Sequence, residues 1–180
     1  MAETWNLSQY LTFTLREELF ALNIGSVKEV LEHTKITKVP RTPKFMKGVI
    51  NLRGHAVPIV DMRLKFGMSE GEITVNTCII IVEVGAGQGE IVQIGALVDS
   101  VREVIEMKEN EVEPPPKMGL SVDTDFIRGM AKQDDDFVLI LDVEKIFSAD
   151  ELAAVSEAGG SPEAQSAPQV ETAEEEMAAL

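Results

Sequence analysis

The chain has 180 residues, 44% of them apolar, and a formal net charge of −15, which allows one substantial core or two small ones sharing an interface. So acidic a balance argues against a nucleic-acid partner, whose phosphates call for a broad basic face, and no apolar run approaches the roughly 20 residues of a membrane span. One cysteine, Cys78, permits no internal disulfide, and residues 1–6 lack the basic flank and apolar stretch of a secretory signal, so the chain reads as cytosolic.

Residues 10–15 alternate and are rich in β-formers, which predicts a strand, with Arg16-Glu17-Glu18 turning the chain into a second strand over 19–24. Ser26-Val27-Lys28-Glu29 has capping-box spacing and predicts a short helical turn with Val27, Val30 and Leu31 on one side. A short strand over 36–39 ends at Pro40. Thr42-Pro43 suggests another capped helical turn closed by Gly48. Two apolar runs, 49–52 and 56–60, then flank Arg53-Gly54 as a hairpin. Met62–Phe66 reads as a helical turn, and Asp61 before it as its cap. Polar residues 68–75 separate this unit from a nearly continuous apolar strand over 77–84, a glycine-rich turn at 85–90 and a returning strand over 91–98.

The chain then repeats itself. At an offset of 81, Phe45, Lys47, Gly48, Val57, Ile59, Asp61 and Phe66 face Phe126, Arg128, Gly129, Val138, Ile140, Asp142 and Phe147. Upstream, residues 26–32 match 100–106 at an offset of 74, which places a seven-residue insertion at about 109–125. Five short strands per copy and almost no helix predict a mostly β fold of two small barrels, about 18–75 and about 76–147, the second also pairing the N-terminal strand. Barrels of roughly 70 residues have marginal cores, so the two should pack together with a groove between them. Ser148-Ala149-Asp150-Glu151 is a further capping box and predicts a helix over 149–158, followed by an acidic, disordered tail over 159–180.

Charge is unevenly placed. Eight carboxylates and no Lys or Arg follow Lys145, whereas the stretch from Lys28 to Lys65 carries nine basic and three acidic residues, a local +6. A basic face on an acidic body suits a protein partner. Catalysis finds little support. His33 and His55 have no metal-ligand spacing to each other or to Cys78, which reads as a small core residue. Residues 85–89 lie between strands and lack the Lys-Ser/Thr of a phosphate loop. Asp61 and Asp142 occupy equivalent strand ends and are read as caps. Glu29 and Glu103 both persist, so capping explains part of Glu29. The hairpin tip differs: Asn51-Leu52-Arg53-Gly54-His55 faces Lys132-Gln133-Asp134-Asp135-Asp136, with reversed charge. The fold therefore does not require Arg53, and a contact role for the tip, with Lys47 beside it, is the better reading.

Thr42-Pro43-x-Phe45-x-x-Gly48-Val49-Ile50-Asn51-Leu52-Arg53-Gly54, then Val57-Pro58-Ile59-Val60-Asp61-Met62-Arg63 and the paired Val-Lys-Glu-Val and Val-Arg-Glu-Val segments, resemble the CheW-like family of bacterial chemotaxis coupling proteins over roughly residues 6–157. The resemblance implies two SH3-like five-stranded β-barrels, short helical turns, and no catalytic activity, cofactor or metal. It also implies a cytoplasmic adaptor, recruited to membrane receptor arrays without inserting in the membrane. Its partners would be the cytoplasmic tip of a chemoreceptor and the regulatory domain of a CheA-type histidine kinase. By the same resemblance Arg53, Val27 and Glu29 match partner-binding positions, with Lys47, Asn51 and His55 around them. Val98, Val101 and Val104 would line an inter-barrel groove for a receptor's helical tip. Less favoured alternatives are a scaffold of a related pathway driving pili or another output, a domain of a multidomain kinase or receiver fusion, and a small enzyme using Cys78, His55 and Asp61.

Overall fold

In a computed structural model the described residues are 7–85, 89–115 and 124–147. Ten strands form: β1 (Leu7–Leu15), β2 (Glu18–Asn23), β3 (Val27–Glu32), β4 (Met46–Leu52), β5 (His55–Asp61), β6 (Cys78–Gly85), β7 (Ile91–Val98), β8 (Ser100–Lys108), β9 (Ile127–Gln133) and β10 (Asp136–Leu141). Two single-turn helices, α1 (Met62–Lys65) and α2 (Val143–Ile146), follow the equivalent strands β5 and β10. The Asp61 carboxylate accepts from the amides of Arg63 and Leu64, and that of Asp142 from Glu144, so the expected caps are present in both copies. The expected helix over 149–158, the tail over 159–180 and residues 116–123 of the inserted stretch lie outside the described residues.

The strands form two five-stranded sheets, β8-β1-β2-β10-β9 and β3-β6-β7-β5-β4. Each closes on itself through an extra bridge, Glu113 with Met130 in the first and Thr37 with Val49 in the second. Beyond that bridge residues 36–39 form no strand. A division near residue 75 does not describe these barrels. Each takes a hairpin from one copy of the repeat (β1–β2 or β6–β7) and three strands from the other. The exchange creates the two parallel pairings, β2 with β10 and β5 with β7. Hairpin signals alone predict only antiparallel neighbours, and for that reason the sequence reading missed the exchange.

Two further expectations are corrected. Residues 26–32 and 100–106 are not capped helical turns: β3 pairs with β6 and β8 with β1 along these stretches. A bulge at Lys28 breaks the alternation: Val27, opposite Val82, packs on the joint, whereas Glu29 and Leu31, opposite Ile81 and Ile79, lie on the barrel side and Val30 turns outward. In place of a Ser26 cap, Asn23 caps a 3-10 turn over Ile24–Ser26. Thr42 does not cap a helix either, since its hydroxyl donates back to the Val39 carbonyl. Gly48 lies inside β4 at a φ of 143°, where a Cβ would collide with the Thr37 carbonyl; at Gly129 a Cβ would strike Val112 and the Glu113 carbonyl. The repeated glycine therefore marks the close approach that shuts each barrel, not a helix end. It follows a bulge at the repeated cation, Lys47 or Arg128, which aims that side chain outward.

Tyr10, Ala21, Ile105, Met107, Val138 and Ile140 fill the first barrel, and Ile50, Val57, Ile59, Ile79, Ile81 and Leu97 the second. The largest cluster, including Leu11, Phe13, Phe20, Ile80, Val82 and Ile94, joins the two. Since β6 sends Ile79 and Ile81 into its barrel and Ile80 and Val82 into the joint, it is apolar on both faces and reads as a continuous run.

Candidate protein-interaction site

The β4–β5 hairpin pairs Leu52 with His55, leaving Arg53 and Gly54 as a two-residue loop. Both are left-handed, with φ of 52° and 86°, the type I′ turn that suits the right-handed twist of a hairpin. The Asn51 side chain accepts a hydrogen bond of 2.8 Å from the Gly54 amide and so steadies the turn. In the second copy Asp134 takes the equivalent left-handed position at 56°. The fold makes this turn with either charge, as expected.

What holds Arg53 is tertiary. Its Nη2 donates to Glu29 Oε2 at 2.7 Å, with the Arg53 side chain 70% exposed. Glu29 sits on β3, at the opposite edge of the sheet from β4, and the Thr37–Val49 bridge brings those edges together. The hydrogen bond from Arg53 lowers the Glu29 pKa; partial desolvation raises it, and the charges of Arg53 and Lys28 lower it. The same bond raises that of Arg53. Glu29 thus serves the hairpin, not a cap. Val27, across the bulge, lies on the other face of β3, half-buried against the shared core, while Asn51 and His55 are exposed at the tip.

Lys47 departs from this group. It lies six residues before Arg53 on one strand, about 20 Å away at the usual rise, and it pairs with Glu70, whose pKa that hydrogen bond lowers. The three valines expected along a groove also separate. Val98 is fully buried in the shared core, because the seam between the barrels is filled, so it has no surface to offer. Val101 packs partly against that core, and only Val104, 48% exposed, faces outward. An open groove of about 700 Å³ lies instead on the first barrel, lined by Leu19, Ile105, Leu139 and the half-exposed Phe137 together with Asp134 and Asp136. Its signal in the sequence is an aromatic residue following three aspartates on an alternating strand.

The +6 stretch is also less uniform than its composition implies. Arg63 is buried, with Nη1 3.2 Å from Asp99 and Nε 3.6 Å from Asp61. Asp99 in turn accepts the Arg16 amide at 2.6 Å, and the Arg16 guanidinium donates to the Ser69 carbonyl at 2.8 Å. This chain of contacts ties the β1–β2 turn, the β7–β8 corner and the polar connection together. Lys65 lies over the Phe45 and Phe126 rings, 4.6 and 5.3 Å from their centroids. Sequence reasoning missed the Arg63–Asp99–Arg16 contacts because nothing local tells which distant charges the fold will bring together. Cys78 is half-buried against the core, and its thiol donates to the Asn76 carbonyl. Among the described residues no cluster of His, Cys, Asp and Glu could hold a metal ion, and no helix is long and apolar enough to cross a membrane.

Known proteins share this architecture and sequence. A chemotaxis protein CheW of Klebsiella aerogenes is 31% identical over 147 residues, covering 82% of this chain and 86% of its own length. That of Bacillus subtilis is 32% identical over 146 residues, covering 81% and 90%. The crystal structure of the scaffolding protein TtCheW from Thermoanaerobacter tengcongensis superposes with a TM-score of 0.71 at 39% identity, covering 80% of this chain and 90% of that one. The pattern of the CheW-like domain matches residues 9–151, with its repeated barrels and the Arg53 hairpin inside that span, so the chain belongs to the CheW-like family of chemotaxis scaffold proteins.

Proposed function

We propose that this chain is a non-catalytic, cytoplasmic adaptor that couples the cytoplasmic tips of chemoreceptors to a CheA-type histidine kinase. Family membership supports the chemotaxis setting. The observation that carries the contact surface is the hairpin tip. An exposed arginine stands in a left-handed turn, oriented by Glu29, at a place where the fold's other copy uses an aspartate. Such a residue is available for recognition and dispensable for folding. Asn51 and His55 flank it in the hairpin and, with the half-buried Val27 at the start of β3, complete the proposed contact surface, while Val101 and Val104 remain candidates for a second face on β8. An adaptor with two faces raises the local concentration of kinase near receptor without chemistry of its own, and a charged rim residue contributes chiefly to partner selection and association rate.

The test is a pull-down in which immobilised receptor tip captures a CheA-type kinase only when this protein is added. Arg53→Asp should lower the captured kinase while the variant keeps its melting temperature. No bridging by the wild-type chain would refute the adaptor reading, and full bridging by Arg53→Asp would remove the hairpin from it.

A further inference from the structure

We propose that the acidic C-terminal segment, residues 148–180, docks in cis on the cationic loop between β3 and β4, through Lys35, Lys38, Arg41 and Lys44. This does not depend on the adaptor reading. From residue 33 to residue 60 the chain has no carboxylate, and these four cations recur every third position from 35 to 44. All four are exposed, and none forms an ion pair with a described residue, unlike Lys47, Arg53 and Arg63. Arg41 is held at a φ of 61°, a left-handed kink in the middle of the loop.

The segment supplies the opposite charge. Its eight carboxylates are accompanied by no Lys or Arg. It also starts beside the loop. Phe45, next to Lys44, shares the Lys65 ammonium with Phe126, and the Phe126 carbonyl accepts the amide of Asp142, the cap of α2. The chain leaves the described fold five residues later, at Phe147. The 33 residues beyond that point span at most about 110 Å when extended, so reach to all four cations is ample. Tethering makes the encounter intramolecular, at an effective concentration on the order of millimolar. A partner whose acidic surface targets this loop would then compete with the segment.

A spin label on Ser166→Cys, in a full-length Cys78→Ala background, reads the contact by amide line broadening. Broadening should concentrate on residues 33–45 near 10 mM salt. It should weaken severalfold near 500 mM, where the Debye length falls from about 30 Å to under about 5 Å. Replacing Glu171, Glu174, Glu175 and Glu176 with Gln should reduce it, as should Lys38→Glu with Arg41→Glu. Broadening spread evenly over the fold, or unchanged by the glutamines, overturns the proposal. So does broadening in a mixture of labelled and isotope-enriched copies, since that would place the segment on a second molecule.

Discussion

Arg53 and Arg63 lie ten residues apart in one basic stretch and meet opposite fates, which sets what each substitution should do. Arg53 is in water, and its pairing with Glu29 is of the exposed kind that contributes little to stability. Arg53→Asp should therefore leave thermal unfolding unchanged while weakening kinase–receptor assembly. A clear fall in melting temperature would show that the turn needs its arginine. The pair also has a pH signature. Because the Arg53 hydrogen bond depresses the Glu29 pKa, its contribution is present above the unfolded carboxylate's pKa and is lost as pH falls through the folded value. In Arg53→Ala the Glu29 carboxyl should titrate at higher pH, as followed by side-chain NMR. Arg63 is 3% exposed between Asp61 and Asp99. Removing one partner of a buried ion group costs about 3–5 kcal/mol, so Arg63→Ala should show that loss in urea unfolding. A loss below about 1 kcal/mol, the value of an exposed pair, would mean that water reaches the cluster.

The strands β3 and β8 show how an element's identity is decided. Ser26-Val27-Lys28-Glu29 has the local spacing of a helix start, yet β3 pairs with β6 and alternates in burial. A cap contributes roughly 1 kcal/mol. A full strand of ladder bonds, with Val27 packed on the joint and Leu31 in the barrel, outweighs it. In β8 the ladder is broken by a bulge, and the buried Thr12 hydroxyl repairs it by accepting the Glu103 amide and donating to the Glu103 carbonyl. The repeated glycines belong to this scale too. Gly48→Ala drives a methyl group into the Thr37 backbone, and Gly129→Ala drives one into Val112 and Glu113. Overpacking of this kind costs about 1–3 kcal/mol, so each variant should lose that much in chemical unfolding. Alanine at an exposed position such as Gly67 meets no atom and bears only the strain of its left-handed φ.

At the scale of the molecule, the exchange of hairpins between the two copies makes both barrels depend on the whole chain. Residues up to 75 supply a hairpin to one barrel and three strands to the other, and the rest of the chain does the reverse. Neither half can fill a barrel interior, and the joining cluster draws on both. Fragments 1–75 and 76–180 expressed alone should lack cooperative unfolding, and mixing them should restore it. A cooperative transition in either fragment would show that a half can close a barrel by itself. The same topology positions the contact hairpin, since the β3 edge that carries Glu29 meets β4 only when the second barrel shuts.

Much of this was legible in the residues. Alternation along 10–15, the apolar run 56–60, the Arg53-Gly54 turn and the Asp61 and Asp142 caps are local signals, and each reappears in the structure, as does the in-frame repeat. Comparison of the two copies isolated the charge reversal at the hairpin tip, because a feature one copy lacks is not demanded by the fold. Long-range pairing decided the rest: which hairpin joins which barrel, the burial of Val98 and Arg63, and the closing contacts at Gly48 and Gly129. Those outcomes depend on residues more than ten positions apart competing for the same space. No short stretch carries that information. The sequence alone therefore determined the strands, the duplication and the exposed arginine, and only the closed barrels determined what that arginine leans on.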